Sequence, residues 1–240
     1  CRLLRRLRDR LGGPARYACG AGAMNLSTDA TDPPLGTNID VDVLFLEMTT
    51  PPARPPVPAP RAGVDIVPMT RPTVGFFRYL YDAVGREWTW FERCLLSDEA
   101  LAAVIGAPAC ALYQLQVDGV PAGFCEITRD LPEGATEITF FGLIGDFIGQ
   151  GLGWYFLNAT VDLSWATAPA KVILNTCDLD HTRALGNYTR AGFRVVGYQR
   201  KHLPDPRLAS VPRPPALADR PPHPVHAAAA AFDGKDGGTG

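Results

Sequence analysis

The residues with the clearest chemical potential are three glycines at alternate positions, Gly149, Gly151 and Gly153. They follow an apolar stretch typical of a strand and precede a stretch whose apolar residues recur at helical spacing. A glycine loop in this position lets consecutive backbone N–H groups converge on an anion, and the dipole of the following helix adds partial positive charge. The spacing therefore indicates a site for a phosphate or a pyrophosphate.

Three nucleotide-binding motifs compete for this loop. A P-loop requires Lys followed by Ser or Thr after its last glycine, where this chain has Trp154 and Tyr155. A dinucleotide-binding GxGxxG motif would lack its third glycine here, and the early strand–helix–strand context is missing as well. The remaining interpretation is a loop that follows the last strand of an antiparallel meander, where the guest would be the pyrophosphate of CoA.

From residue 64 onwards, the residue pattern predicts the strands and helices that position the loop. Alternating apolar residues over 110–117, the dipeptide Asp118-Gly119 and the following VPAGFCEIT predict a β-hairpin with a two-residue turn. A third strand over 136–144 completes the meander. Ahead of it, VDIVPM predicts a short strand, and helical spacing predicts one helix that ends at Gly85 and a second that is capped by Ser97.

Beyond the loop, the predicted order is helix, strand, helix, strand. The near-continuous apolar run over 170–179 is typical of a strand that is covered on both faces. Asp180 is predicted to cap the next helix, and Gly192 to end it. The predicted fold class is therefore α+β, layered α/β/α, with a mixed, mostly antiparallel central sheet and helices on both faces.

Proline and glycine are distributed unevenly along the chain. The sequence has 23 prolines and 24 glycines in 240 residues, but only six of the prolines fall within residues 64–203. We predict that residues 1–40 are a disordered or non-native extension, and that the natural start is Met24. Disorder is expected because such segments bury too little apolar surface to offset their chain entropy. The remaining ranges are a possible first strand plus Pro-rich connector over 41–63, the folded domain over 64–203 and a disordered tail over 204–240.

Several classes of protein are excluded by composition. Six cysteines without a CxxC pair predict no metal site and a reducing, cytoplasmic location. No apolar run approaches the roughly 18–20 residues that cross a bilayer, so we predict no membrane contact. The net charge is −2, and the body of the chain is acidic, which argues against nucleic acid as a partner.

Residues 137–193 resemble the GNAT superfamily of acyl-CoA-dependent N-acetyltransferases. Three segments carry the resemblance in the expected order: EITFFGLIGDFIGQGLG, VILNTCDLDH and RALGNYTRAGF. The resemblance implies a GNAT-like sheet and acetyl-CoA as cosubstrate. It also implies direct acetyl transfer, in a ternary complex, to a primary amine of a small molecule or peptide, and it is compatible with a homodimer.

The resemblance also assigns roles to individual residues. Glu137 would be the general base, with Glu126 as the competing carboxylate, and Tyr188 would protonate the departing thiolate. The N–H near Leu143 would polarise the thioester carbonyl. The cofactor contacts are predicted at Leu143, Ile144, Gly149, Gln150, Gly151, Leu152, Gly153, Asn175 and His181. From the residues themselves, the acceptor pocket is predicted to draw on the region 76–93, where aromatic side chains could flank a cationic amine. The substrate-binding residues are predicted to be Trp88, Trp90, Glu92 and Glu126.

Two alternatives stay open at this point. The aromatic residues of 87–93 could equally be core packing. Ile148 stands where the family usually has Arg or Gln, so one contact beside the pyrophosphate is missing. That departure and the Pro-rich arms leave a second hypothesis, a catalytically silent acyl-CoA-binding or interaction module of the same fold.

Overall fold

The computed structural model describes residues 38–204 and 223–233. Its centre is one seven-stranded sheet in the order β2-β3-β4-β5-β6-β1-β7. Only β5 and β6 pair in parallel; all other neighbours are antiparallel. The strands are β1 Asn38–Met48, β2 Val64–Pro68, β3 Cys110–Val117, β4 Val120–Leu131, β5 Ala135–Leu143, β6 Lys171–Cys177 and β7 Arg194–Pro204.

Helices cover both faces of this sheet. They are α1 Val74–Gly85, α2 Asp98–Ile105, α3 Leu152–Trp165, α4 Ala184–Ala191 and α5 Pro224–Asp233. Strand β4 shows the division, because its Phe124 packs with α1 and α2 whereas the next residue, Cys125, packs with α3. Successive side chains of a strand point to opposite faces, so α1 and α2 lie on one face and α3 lies on the other. The predicted α+β class with a mixed, mostly antiparallel sheet is confirmed.

Local signals in the sequence correspond to the observed turns and caps, with one exception. Asp118 and Gly119 have φ values of 52° and 82°, as the predicted two-residue hairpin turn requires. Ser97 caps α2 by accepting a hydrogen bond from the N–H of Ala100 at 3.2 Å. The predicted cap at Asp180 is wrong: its carboxylate instead accepts from Thr176 Oγ1 at 2.7 Å and from the Cys177 N–H at 2.9 Å. Asp180 therefore ties the end of β6 rather than the start of α4.

The strand predicted over 41–48 is present and is part of the sheet interior. β1 begins at Asn38 and pairs with β6 on one side and with β7 on the other. Its side chains Leu44 and Leu46 are almost completely buried. A domain drawn at 64–203 would thus lack a strand between two others, so the structure extends the predicted domain towards its N-terminus.

The two flanking segments differ from each other. The Pro-rich connector has neither helix nor strand over 51–60, and Arg54 anchors it to α3 through an ion pair with Asp162 at 3.1 Å. The predicted disorder of residues 204–240 does not hold for Pro224–Asp233, which form α5, and Val225 of this helix is fully buried in the core. The extension over 1–37 and the tail segments 205–222 and 234–240 lie outside the described residues. None of the described helices is long and apolar enough to span a membrane.

Candidate active site

The site begins where the two parallel strands separate. β5 and β6 pair only over Ala135–Glu137 and 171–173. Beyond that point β5 stays paired with β4 as far as Leu143, and β6 stays paired with β1 as far as Cys177. Because parallel strands end at the same edge of a sheet, a cleft opens between them towards their carboxyl ends. The two strands thus splay apart, and Glu137, in the last pair that they share, lies at the apex of the cleft.

The backbone of β5 presents its amide groups to this cleft. Leu143 lies opposite Gly123 of β4, and the N–H of the next residue, Ile144, donates to the Ala122 carbonyl at 2.9 Å. In an antiparallel ladder, this bond marks Leu143 and Gly123 as a non-hydrogen-bonded pair. The N–H and the carbonyl of Leu143 therefore point away from β4. Of the two predicted contacts here, Leu143 therefore offers its amide to the cleft, while the amide of Ile144 is committed to β4.

The glycine loop lies at the open end of the cleft. Gly149 and Gly151 have φ values of 87° and 77°, and Gly151 is the N-cap of α3 with no side chain capping the helix. Within the described residues, no backbone carbonyl accepts a hydrogen bond from the N–H of Gly149, Gln150 or Gly151. A Cβ added to Gly153 would lie only 3.6 Å from Leu143 Cδ1, so the loop and the end of β5 adjoin. These N–H groups, which no described carbonyl engages, form a cradle of donors beside the Leu143 amide.

The two other predicted contacts within the loop differ in character. The side chain of Leu152 is buried in the core, so only its backbone N–H, in the first turn of α3, can face an anion. Gln150 is exposed, and its side-chain amide donates to the Asp146 carbonyl at 2.9 Å. Ile148 is 36% exposed and supplies no polar group beside the loop.

Glu137 is half-buried at the apex of the cleft and accepts a hydrogen bond from the side chain of Asn175 on β6. Burial and the negative charge of Glu126 raise its pKa from 4.5 to about 7, against the opposing effects of Arg93, Asn175 and Lys201. A carboxyl group with this pKa accepts and releases protons near neutrality. Asn175, predicted as a cofactor contact, is thereby also a direct partner of the predicted base.

Glu126 is in a different position from Glu137. Its side chain is 1% exposed and forms an ion pair with Arg93 from the segment between α1 and α2. Burial raises the pKa of the Glu126 carboxyl, and the Arg93 charge lowers it. Because Glu126 is enclosed and already paired, it is less suited than Glu137 to receive a proton from an incoming amine. Arg93 was missed by sequence reasoning, which treated EWTWFER only as an aromatic segment.

The segment that contains Arg93 is folded tightly against α1. The backbone N–H of Trp90 donates to the Gly85 carbonyl at 3.1 Å. A Cβ on Gly85 would lie 2.5 Å from the Trp90 Cβ, so glycine is required there. The Trp90 ring packs on Tyr81, Phe124 and Phe140 in the core. For Trp90, packing is thus the observed role.

The other predicted acceptor contacts lie at the edge of the site. The ring centroid of Trp88 is 5.0 Å from that of His181, which follows β6, so these two predicted residues are brought together at the mouth of the cleft. Burial is the main cause that lowers the pKa of His181. Glu92 accepts a hydrogen bond from the Tyr81 hydroxyl at 3.1 Å, which leaves it half-buried behind the aromatic core.

Tyr188 lies on α4, and its ring packs edge-on against Phe193 with centroids 6.3 Å apart. Burial raises the pKa of its phenol well above the usual value, and the nearby Asp180 and Cys177 raise it further. The phenol is therefore protonated at neutral pH. Cys177 and Asp180, at and just after the end of β6, are close enough for their charges to act on the phenol. Tyr188 therefore lies on the β6 side of the cleft, opposite Leu143.

A second cluster of polar side chains lies away from the cleft. Among the described residues, Asp42, Asp178 and His226 are close enough together to act as metal ligands. Both Asp42 oxygens are already engaged, by Arg200 at 2.8 and 3.0 Å, by the Tyr198 hydroxyl at 2.9 Å and by His226 at 3.1 Å. As it stands, this cluster fastens α5 to β1.

Comparison with solved structures finds several distant likenesses. A functionally unknown conserved protein from Staphylococcus epidermidis is 18% identical with a TM-score of 0.48, covering 70% of this chain and 63% of its own. A GCN5-related N-acetyltransferase from Sphaerobacter thermophilus is 19% identical with a TM-score of 0.47, covering 68% and 51%. This chain therefore spans less than two thirds of the length of either protein.

An aminoglycoside N-acetyltransferase in complex with CoA is 18% identical with a TM-score of 0.41, covering 59% of this chain and 97% of its own. At this distance the likenesses identify no substrate, and no curated protein matches the chain.

The family comparison is more direct. Residues 77–193 match the model of the acetyltransferase (GNAT) family. The matched range runs from α1 to the residue that follows α4 and its C-terminal Gly192, and it contains the cleft, the glycine loop, Glu137 and Tyr188. The chain therefore carries a domain of the GNAT acetyltransferase family.

Proposed function

We propose that this protein is an acetyl-CoA-dependent N-acetyltransferase that moves the acetyl group directly to a primary amine in a ternary complex. The observation that carries the proposal is the cleft between β5 and β6. Its apex holds a carboxyl group with a pKa of about 7, its wall carries the Leu143 amide, and its open end is lined by the glycine loop. The loop that would bind the pyrophosphate, the amide that would polarise the thioester and the carboxyl group that would act as base thus lie along one cleft.

The donor would lie along β5 with its pyrophosphate on the glycine loop. The N–H groups of Gly149–Gly151 and the first turn of α3 would hold the phosphate oxygens, and no cationic side chain is required for this. The exposed backbone edge of β5 would pair with the amides of the pantetheine arm, since strand edges present unpaired donors and acceptors. His181 and Trp88, at the mouth of the cleft, would border the donor and the acceptor.

The chemistry follows from the groups along the cleft. Acetyl-CoA supplies an activated acyl thioester, so the protein mainly has to orient the reactants and manage protons. The amine nitrogen bonds to the acyl carbon, and the Leu143 N–H stabilises the negative charge that develops on the acyl oxygen. Glu137 lies six residues before Leu143 on β5, so it accepts the proton that the amine loses through water in the cleft. As the carbon–sulfur bond breaks, the sulfur takes the electron pair, and the Tyr188 phenol donates a proton to it.

The acceptor is proposed to be a primary amine of a small molecule or peptide. It would reach Glu137 past Trp88, whose half-buried ring can contact a cation. Near neutral pH the Glu137 carboxylate is sufficiently basic to take the amine proton without being permanently protonated.

Donor binding can be tested with a matched pair of glycine variants. Gly151 and Gly119 have φ values of 77° and 82°, and a Cβ at either would meet nothing within 4 Å. Alanine at such a φ costs about 1–2 kcal/mol of stability in either place. Only Gly151→Ala is expected to weaken CoA binding in isothermal titration calorimetry, by about tenfold or more, because it distorts the loop; one tenfold step corresponds to about 1.4 kcal/mol.

The reaction itself is tested by incubating the protein and acetyl-CoA with a library of amines and reading the products by mass spectrometry. We expect at least one amine to gain an acetyl group, with release of one CoA for each product. Absence of CoA binding to the wild-type protein would refute the proposal. Binding of CoA without transfer to any amine would instead indicate a silent module.

A further inference from the structure

The buried ion pair between Arg93 and Glu126 has no evident structural necessity. The two side chains are 13% and 1% exposed, and they lie on the face of the sheet that α1 and α2 cover. Burial of such a pair loses the hydration of both ions, and well-packed apolar residues often stabilise a fold as well or better. Arg93 Nε and Glu126 Oε2 are also buried without a hydrogen-bond partner among the described residues. The pair is thus incompletely satisfied, which points to a role other than stability.

The register of the sheet places this pair next to Glu137. Thr128 of β4 lies opposite Glu137 of β5, and Glu126 lies two residues earlier on β4. Residues two apart on a strand share a face, so Glu126 and Glu137 point to the same side of the sheet as diagonal neighbours. Arg93 binds Oε1 of Glu126, and no donor from the part of the chain that the structure describes reaches Oε2. The field of Glu126 on Glu137 is the largest charge effect there and exceeds the opposing effect of Arg93.

Other groups face Glu137 or lie near the pair. Asn175 on β6 donates to Glu137, and Lys201 on β7 acts on it weakly as a positive charge. Cys110 on β3 is close enough to the pair for Glu126 and Arg93 to act on its thiol. From α1 and the segment after it, Tyr81 and Glu92 act on Arg93. Among all of these groups, Glu126 contributes the largest electrostatic effect on Glu137.

We propose that Glu126, held in place by Arg93, is a positioning residue that keeps Glu137 in its proton-accepting range for the acetyl transfer. The inference rests on the proposed function, in which Glu137 receives the proton of the acceptor amine. Glu126 does not touch the substrate in this scheme; it acts through its charge on Glu137. Arg93 opposes protonation of Glu126, because its positive charge lowers the pKa of that carboxyl against the larger, opposite effect of burial.

The direct experiment is titration of the Glu137 carboxyl carbon by NMR in protein labelled with ¹³C-glutamate, with the signal assigned through Glu137→Gln. Glu126→Gln removes the neighbouring charge and is expected to lower the midpoint by about one pH unit, the order expected for charges on diagonal neighbours roughly 8 Å apart in a partly buried setting. Glu126→Asp keeps the charge and is expected to restore most of the wild-type midpoint.

Asp42→Asn is the matched control. Asp42 is another buried carboxylate paired with an arginine, and it lies in the cluster beneath α5 rather than at the cleft. Its neutralisation is expected to leave the Glu137 midpoint unchanged. If Glu126→Gln does not fold, the Arg93→Met/Glu126→Leu double variant replaces it. This variant is expected to lower the midpoint by a smaller amount, since the stronger effect of Glu126 is removed together with the weaker one of Arg93.

The pH profile of kcat/KM separates this inference from the proposed function. Glu126→Gln is expected to move the acidic limb of the profile to lower pH by the same amount as the NMR midpoint. An unchanged NMR midpoint in Glu126→Gln, or an equal change in Asp42→Asn, would overturn the inference. A shifted midpoint in a protein whose activity does not depend on Glu137 would refute the catalytic assignment of Glu137 instead.

Discussion

Replacement of Glu137 by glutamine is expected to make the protein less active and, at alkaline pH, more stable. The carboxyl pKa is about 7 in the folded protein against 4.5 for the free side chain. That difference corresponds to about 3 kcal/mol between the two protonation states. Because the pKa is higher in the folded than in the unfolded state, the protonated Glu137 carboxyl stabilises the fold. This stabilisation is complete below about pH 4.5 and is lost as the pH rises through 7. The ionised carboxylate therefore destabilises the fold at pH 8.

Glutamine removes this ionisation and retains the size of the side chain. We expect the wild-type protein to lose up to about 3 kcal/mol more stability than Glu137→Gln does between pH 5 and pH 8. At pH 8 the same variant is expected to lose about 10²–10⁴-fold in kcat/KM, the usual contribution of a positioned general base. Urea unfolding at the two pH values measures the first quantity, and release of free CoA thiol measures the second.

The control for this experiment is Glu133→Gln, in the turn before β5, where Glu133 is exposed and contacts Lys171 at 2.8 Å. It is expected to show wild-type activity and wild-type pH dependence of unfolding. If Glu137→Gln and the wild type lose the same stability between pH 5 and pH 8, the environment argued for Glu137 is wrong. If the variant keeps full activity at pH 8, Glu137 is not the base.

Two further perturbations test other parts of the site and fold. Tyr188→Phe is expected to lower kcat by about 10²-fold or more through loss of the thiolate's proton donor, with little change in the Kd for CoA; unchanged turnover would remove the acid role. A chain of residues 64–240 lacks β1 and is expected to be largely unfolded by circular dichroism, whereas residues 38–240 should fold, because β1 buries Leu44 and Leu46 between β6 and β7. A cooperative thermal transition in the shorter chain would contradict the placement of β1.

The features that sequence reasoning predicted well are those with local causes. The Asp118-Gly119 turn needs two residues that tolerate positive φ, and few other dipeptides do so. The Ser97 cap and the αL residue Gly192 at the end of α4 likewise depend on a few consecutive residues. The Asp180 cap failed because the same carboxylate had nearer donors in the turn that ends β6. Local competition between hydrogen bonds cannot be resolved from residue types alone.

The features that sequence reasoning missed depend on contacts between segments that are distant in the chain. Arg93 reaches Glu126 across 33 positions of sequence, and an arginine between aromatic residues carries no sign of a buried partner. For Trp90 the sequence left open whether the ring faces the substrate or the core, and tight packing against Gly85 places it in the core. The helix at Pro224–Asp233 forms on the sheet because Val225 is buried there, although its composition resembles that of a disordered tail.

The sequence by itself determined the family of the domain, the glycine loop and the order of the elements, since each depends on spacing within a short stretch of chain. The tertiary structure decided which groups face the cleft. The separation of β5 from β6 directs the Leu143 amide inward, and the sheet register places Glu126 diagonally from Glu137. Burial and charge then set the proton affinity of Glu137, and both depend on which side chains meet across strands that are far apart in sequence.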